Sequence, residues 1–144
     1  MKKILIVIAD YYEDISSSLL KSAKSNLSNF SLKIIKVPGV FEIPVTISKN
    51  IKKYDGFIAL GCVIKGETPH FDFISTASTQ AIMKLSVESK KPIGNGIITC
   101  LNMKQAKARG KKGQRMYHKM KRNGVKLKIN LNILVKIQVK EINN

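Results

Sequence analysis

The chain has 144 residues, a length that suits one domain with a single hydrophobic core. Hydrophobic residues make up 44% of it, yet no apolar run approaches the ~20 residues that span a bilayer. The net charge of +17 is uneven: residues 1–100 carry 13 Lys/Arg and 8 Asp/Glu, whereas residues 101–144 carry 13 Lys/Arg and one acid. The composition therefore excludes a membrane span and predicts an enzyme-like domain followed by a basic tail.

The predicted elements begin with a short, continuous apolar run at Lys3 to Ala9, which is typical of a strand buried on both faces. Three further runs, Leu32 to Val37, Phe57 to Ile64 and Pro92 to about Thr99, predict three more strands. The first run is too short for a signal peptide, so we expect a cytoplasmic protein.

Helical spacing of apolar residues separates these strands. One helix is predicted from Ile15 to Leu27 with Asp14 as its N-cap, and a short one from Ile43 to Ile51. A longer helix spans Ile74 to Leu85, and Met103 to Arg109 begins another. Strands that alternate with helices predict a three-layer αβα fold, with a flavodoxin-like parallel sheet of about four strands in the order 2-1-3-4.

In such sheets ligands bind outside the carboxyl ends of the strands. That edge collects four segments, residues 10–14, 38–42, 64–70 and 99–102. The loop that ends at His70 joins a strand to a helix N-terminus, where free N–H groups favour an anion. His70 could transfer protons to a ligand there, or it could merely cap the helix, and spacing alone leaves both interpretations open.

Other residues at this edge also have two interpretations. Phe41 beside Glu42 suits a flat, hydroxyl-bearing ligand, but the residues alone favour a core Phe41 and a Glu42 in the first turn of a helix. Tyr11 and Tyr12 could stack on a ring, although exposed loop tyrosines usually have no special role. Arg109 could bind a phosphate bidentately, although a lone Arg next to so basic a tail is weak evidence.

Two cysteines and two histidines do not have the spacing of a zinc site. Cys62 and Cys100 both lie in strongly apolar stretches, which favours reduced, structural thiols in a cytoplasmic protein.

Taken together, the segments at this edge resemble the lumazine synthase family over about residues 3–110. The resemblance is carried by Ala9-Asp10-Tyr11-Tyr12-Glu13-Asp14, Val37-Pro38-Gly39-Val40-Phe41-Glu42-Ile43-Pro44, Gly61-Cys62-Val63-Ile64-Lys65-Gly66-Glu67-Thr68-Pro69-His70-Phe71, Gly94-Asn95-Gly96 and Gln105-Ala106-Lys107-Ala108-Arg109. It implies the penultimate step of riboflavin biosynthesis, in which 5-amino-6-ribitylaminouracil condenses with 3,4-dihydroxy-2-butanone 4-phosphate to give 6,7-dimethyl-8-ribityllumazine, phosphate and water. Neither a metal nor an organic cofactor is implied.

The resemblance also implies residue roles, with His70 as the proton donor and acceptor. It assigns the pyrimidine to Tyr11, Cys62, Val63, Ile64 and Asn95, the ribityl side to Val40, Phe41 and Glu42, and the phosphate to Glu67, Thr68 and Arg109. Asn95 and Arg109 would come from a neighbouring subunit, so the resemblance implies a homo-oligomer, generally a pentamer or a multiple of it. It also implies a functional link to riboflavin synthase.

The sequence departs from the family in two places. Asp10 stands where many relatives have an Arg before the loop aromatic. After Arg109 the Ala-rich amphipathic helix of the family is replaced. In residues 125–139 every second residue is apolar, with Lys and Asn mostly between, as in a strand. We therefore predict a lumazine-synthase-like domain at 1–112 and a divergent basic tail at 113–144. That tail is either a frame-shifted or replaced C-terminus or a genuine basic extension.

The alternative function from a different class is a flavodoxin-like binding module whose basic tail contacts nucleic acid. Net charge supports this alternative, because basic tails often bind polyanions. The tail has one aromatic, Tyr117, and carries no recognised nucleic-acid motif. We accordingly expect small-molecule substrates, rather than nucleic acid or a membrane, as the partners.

Overall fold

A computed structural model describes residues 1–110, and the predicted tail at 113–144 lies outside the described residues. The elements in chain order are β1 (Lys3–Ala9), α1 (Glu13–Ser25), β2 (Ser31–Val37), a 3-10 turn (Val40–Glu42), α2 (Ile43–Asn50), β3 (Gly56–Ile64), α3 (His70–Ser89) and β4 (Ile93–Cys100). Residues 103–110 are also helical and are called α4 below. Within the described part of the chain, no helix is long and apolar enough to cross a membrane.

The four strands form one parallel sheet in the order β2-β1-β3-β4, which confirms the predicted order. In the centre of the sheet, Ile6 of β1 is aligned with Ile34 of β2 on one side and Ile58 of β3 on the other. The central strands β1 and β3 are buried almost throughout. Their unbroken apolar runs follow from this position, because helices cover both faces of the sheet.

Two hydrophobic cores, one on each face of the sheet, make up the predicted three layers. On one face, Ile15 and Leu19 of α1 and Ala106 of α4 pack with the strand residues of that side. On the other face, Ile43 of α2 and Ile74 of α3 pack with theirs. The three-layer αβα prediction is therefore confirmed.

Two helices begin at different residues from those predicted. The N-cap of α1 is Tyr12 rather than Asp14, and the helix begins at Glu13. Asp14 lies in the first turn, where a carboxylate stabilises the positive end of the helix dipole without capping it. Helix α3 begins at His70 because the Pro69 carbonyl already accepts the N–H groups of Asp72 and Phe73, at 3.1 and 3.3 Å.

A lysine fixes the end of α2 against the start of β4. The ammonium of Lys91 donates hydrogen bonds to the carbonyls of Ile51 and Tyr54, both at 2.7 Å. These carbonyls follow the last turn of α2 and have no helical partner of their own. The charge of Lys91 also lies favourably at the negative end of the helix dipole.

Candidate active site

The candidate site is a pocket of about 480 Å³ at the carboxyl edge of the sheet. It is bounded by the loop after β1, the turn after β2, the end of β3 and the first turns of α3. The lining residues are Tyr11, Tyr12, Pro38, Gly39, Val40, Phe41, Glu42, Cys62, Val63, Ile64, His70 and Ile74. A mostly apolar cavity of this size with a few polar groups is typical of a small-molecule site.

Gly61 determines how closely the 3-10 turn lies against the sheet. A Cβ built on Gly61 would lie 2.9 Å from Cγ2 of Val40 and 3.4 Å from Cβ of Ala9. Real Cβ atoms almost never approach another atom as closely as the first of these distances. The missing side chain of Gly61 therefore lets Val40 rest on β3 and form a wall of the pocket.

The carboxylate of Glu42 is fixed by the backbone of the same turn. The Gly39 N–H donates a hydrogen bond to Oε2 of Glu42 at 2.9 Å. This bond, to Oε2, holds the Glu42 side chain at the pocket. The other carboxylate oxygen, Oε1, does not take part in it and can accept a hydrogen bond from a ligand hydroxyl.

Phe41 is 77% exposed, so the expectation that it belongs to the core is wrong. The turn is held by the Glu42–Gly39 bond and by burial of Val40, and neither contact needs the Phe41 ring. Glu42 ends the 3-10 turn and is the N-cap of α2, so it lies just before the first turn of the helix in which it was expected.

His70 is the first residue of α3 and is exposed at the mouth of the pocket. Ile74, one turn later on the same face of the helix, lies at the pocket as well. Glu67 and Thr68 lie in the exposed loop before α3 and do not line the pocket. The side chains of Glu67 and Thr68 are therefore close to His70 in the sequence but are exposed to solvent.

Asn95 and Arg109 do not line the pocket of their own chain. Asn95 is in β4, and its Oδ1 accepts a hydrogen bond from the Ile97 N–H at 3.1 Å. Arg109 is on α4, and its Nη1 donates to the Thr99 carbonyl at 2.6 Å. The chain thus brings eight of the twelve sequence-predicted site residues together and leaves Glu67, Thr68, Asn95 and Arg109 outside the pocket.

The thiol of Cys62 forms part of the pocket wall and is kept neutral. Burial raises the pKa of Cys62 to about 12; the neighbouring Cys100 adds to the rise, and the charge of Arg109 opposes it. A thiol with so high a pKa is a poor nucleophile at neutral pH. Burial also raises the pKa of the Tyr12 phenol, with Tyr11 adding to the rise, so Tyr12 too contributes a neutral group.

Cys62 and Cys100 are free thiols. The register aligns Cys62 with Ile98, so Cys100 is two residues further along the adjacent strand. Strand spacing and rise then separate the two Cα atoms by about 8 Å, whereas a disulfide needs less than ~7 Å. Reduced thiols are therefore the state that fits the sheet.

Four lining residues were not among the predicted binding residues, namely Tyr12, Pro38, Gly39 and Ile74. Ile74 could have been predicted as a lining residue, because it follows His70 by four residues and lies on the same face of a helix. Pro38 and Gly39 lie within the motif that carried the resemblance, but their backbone role is not visible from composition. Among residues 1–110 no group of three or more His, Cys, Asp or Glu side chains could hold a metal ion.

The sheet order and the position of the pocket define a class of protein: a three-layer α/β protein that binds a small, partly polar ligand at the carboxyl edge of a parallel sheet. Comparison with known proteins narrows this class. The family model described as 6,7-dimethyl-8-ribityllumazine synthase matches residues 1–127.

Relatives with that same name include the following two. A 6,7-dimethyl-8-ribityllumazine synthase of Bartonella bacilliformis is 48% identical over 118 residues, which cover 78% of this chain and 78% of that protein. One of Agrobacterium fabrum is 45% identical over 115 residues, which cover 74% of this chain and 78% of that protein. A de novo designed Rossmann fold protein shares 13% identity, covers 81% of this chain and 97% of its own, and has a TM-score of 0.42, too low to support a conclusion. This chain belongs to the 6,7-dimethyl-8-ribityllumazine synthase family.

Proposed function

We propose that this protein catalyses the condensation of 5-amino-6-ribitylaminouracil with 3,4-dihydroxy-2-butanone 4-phosphate to 6,7-dimethyl-8-ribityllumazine, the penultimate step of riboflavin biosynthesis. The observation that carries the proposal is the pocket in which the residues of three separate motifs meet. Family membership over residues 1–127 supports it. The nucleic-acid alternative is not favoured, because the family model and the relatives that match this chain are lumazine synthases.

The walls of the pocket suit a flat pyrimidine that carries a hydroxylated chain. We propose that Tyr11, 77% exposed at the mouth, stacks on the ring, while Cys62, Val63 and Ile64 contact its edge. Glu42, oriented by the Gly39 N–H, would accept hydrogen bonds from ribityl hydroxyls.

The phosphorylated substrate would bind beside His70. Helix α3 has 20 residues, and its free N–H groups and dipole favour an anion at the loop that contains Glu67 and Thr68. We assign the hydroxyl of Thr68 and the nearby backbone to the phosphate. This placement puts the reacting carbons of the butanone close to the imidazole.

His70 would move the protons that imine formation, phosphate loss and ring closure require. A positioned general acid or base typically contributes ~10²–10⁴-fold, and orientation of two substrates can lower a barrier by several kcal/mol. Cys62 does not act as a nucleophile, because its high pKa keeps it protonated.

We further propose that the active protein is a homo-oligomer, generally a pentamer, in which Asn95 and Arg109 complete a neighbour's pocket. Both residues lie outside the pocket of their own chain. Helix α3 also exposes Phe73, Met83 and Val87 at 70%, 62% and 72%, within an arc of about 80° at 100° per residue. An exposed apolar stripe of this kind is typical of a protein interface. A cytoplasmic location and a functional link to riboflavin synthase belong to the same proposal.

Two measurements test the proposal. The purified protein is mixed with both substrates, and lumazine formation is followed by absorbance and fluorescence, with each substrate omitted in turn as the control. No lumazine above the uncatalysed rate would refute the function. Light scattering after size exclusion should give about 80 kDa for five chains of 16.1 kDa, or a multiple. A fully active monomer would refute the shared site.

A further inference from the structure

The connection from β4 to α4 is fixed by two side chains. Oδ1 of Asn102 accepts the Gln105 N–H at 2.9 Å, and Oε1 of Gln105 accepts the Leu101 N–H at 2.9 Å. These bonds satisfy one N–H group in the first turn of the helix and one just before it, a variation on the capping box. Ala106 then packs at 0% exposure against the sheet, so the first turns of α4 have one position.

Arg109 follows Ala106 by three residues and reaches back to the end of β4. Its Nη1 donates to the Thr99 carbonyl at 2.6 Å and contacts Sγ of Cys100 at 3.9 Å. Cys100 is 1% exposed, so water cannot compete for its sulfur. No other hydrogen bond of the Arg109 guanidinium is found among residues 1–110, which leaves its remaining N–H groups for an anion.

We propose that Cys100 is a positioning residue, whose sulfur, together with the Thr99 carbonyl, holds the Arg109 guanidinium in the orientation that binds the phosphate of the substrate. The inference rests on the proposed function, in which Arg109 contacts that phosphate. It adds a residue that touches no substrate and acts only through Arg109. Cys62, whose pKa Cys100 helps to raise, belongs to the pocket wall itself.

The physical reason is the freedom of a long side chain. An arginine held only at one carbonyl can rotate about that contact, whereas a second acceptor on the same nitrogen restricts the plane of the guanidinium. Bidentate recognition of a phosphate depends on that plane. Loss of the sulfur should therefore weaken phosphate binding without removing the charge.

The test compares Cys100→Val, which keeps a similar volume but has no acceptor, with Cys100→Ser, which keeps one. The matched control is Ile98→Val, a smaller change in the same strand and the same core that leaves the Arg109 contacts in place. For each full-length variant, kcat, both KM values and the inhibition constant of inorganic phosphate are measured, and the melting temperature reports on the fold.

We expect Cys100→Val to raise KM for the butanone phosphate and the inhibition constant of phosphate by about threefold to tenfold. KM for the pyrimidine should stay unchanged, and Cys100→Ser should restore most of the loss. Arg109→Ala alone should raise the same KM by about tenfold to a hundredfold. In the Arg109→Ala background, Cys100→Val should have no further effect, because the cysteine acts through the arginine.

The outcomes separate this inference from the proposed function. If Arg109→Ala raises KM for the butanone phosphate but Cys100→Val does not, the positioning role is wrong and the phosphate assignment stands. The positioning role is equally wrong if Cys100→Val has the same effect in both backgrounds, or if Ile98→Val reproduces its effect. If Arg109→Ala itself leaves that KM unchanged, the phosphate assignment fails and the positioning role fails with it.

Discussion

Replacing Gly61 with alanine tests the contact that forms one wall of the pocket. The added Cβ would lie 2.9 Å from Cγ2 of Val40, a short side chain whose branched Cβ allows little rotation. Val40 is 6% exposed and Ile43, with a contact at 3.6 Å, is fully buried, so neither has space to retreat. The 3-10 turn must therefore move away from β3.

The magnitude follows from two opposing effects. Overpacking a core by one methyl costs about 1–3 kcal/mol, whereas replacing glycine with alanine gains about 0.4–1 kcal/mol through the unfolded chain. The net loss of stability should be about 0.5–2 kcal/mol, or a few °C in melting temperature. Since the displaced turn carries Val40 and Glu42, KM for the pyrimidine should also rise.

The assay is thermal unfolding followed by circular dichroism, together with steady-state kinetics on the same samples. Gly66→Ala is the stability control, because a Cβ at Gly66 meets no atom within 4 Å. A Gly61→Ala protein as stable as the Gly66→Ala protein, with an unchanged KM for the pyrimidine, would refute the proposed role of the Gly61–Val40 contact.

Three further predictions concern other parts of the molecule. His70→Ala should lower kcat by ~10²–10⁴-fold while circular dichroism stays unchanged, because the exposed imidazole is proposed to move protons and supports no core. Near-normal turnover would remove His70 from the mechanism. Lys91→Met keeps the apolar stem but loses the bonds to Ile51 and Tyr54, so the free energy of urea unfolding should fall by about 1.5–3 kcal/mol, and an unchanged value would contradict this. Folding raises the pKa of Cys62 from 9.0 to about 12, so ionisation of this thiol favours the unfolded state. The free energy of unfolding should therefore decline between pH 9 and pH 12 more steeply than in Cys62→Ala. Parallel pH profiles of the two proteins would contradict this.

Much of the fold could be predicted from local patterns. The predicted first strand, Lys3 to Ala9, has the bounds found in the structure, since a short apolar run between polar residues has few alternatives. The order 2-1-3-4 followed from alternation and right-handed crossovers. The predicted starts of the helices were less accurate: α1 is capped by Tyr12 rather than Asp14, and α3 begins at His70. Helix caps depend on backbone hydrogen bonds that residue types do not reveal.

The candidate site, too, could be predicted from the sequence only in part. The motifs and the rule for parallel sheets were enough to place Tyr11, Glu42 and His70 at the carboxyl edge of the sheet, and all three line the pocket. Residue type alone pointed the wrong way for Phe41. Burial depends on which neighbours cover a ring, and that depends on how the turn after β2 lies on the sheet.

The sequence by itself determined the strands, the helices, their order and the family, because these depend on periodicity and on motifs that are local in the chain. Only the tertiary structure decided which atoms meet. Gly61 contacts Val40 across 21 positions of sequence, and Lys91 reaches Ile51 across 40. Likewise, Arg109 is held by Thr99 and Cys100 rather than by its own pocket. Such contacts depend on distances and on competition for space and hydrogen bonds, and no local pattern of residues encodes those quantities.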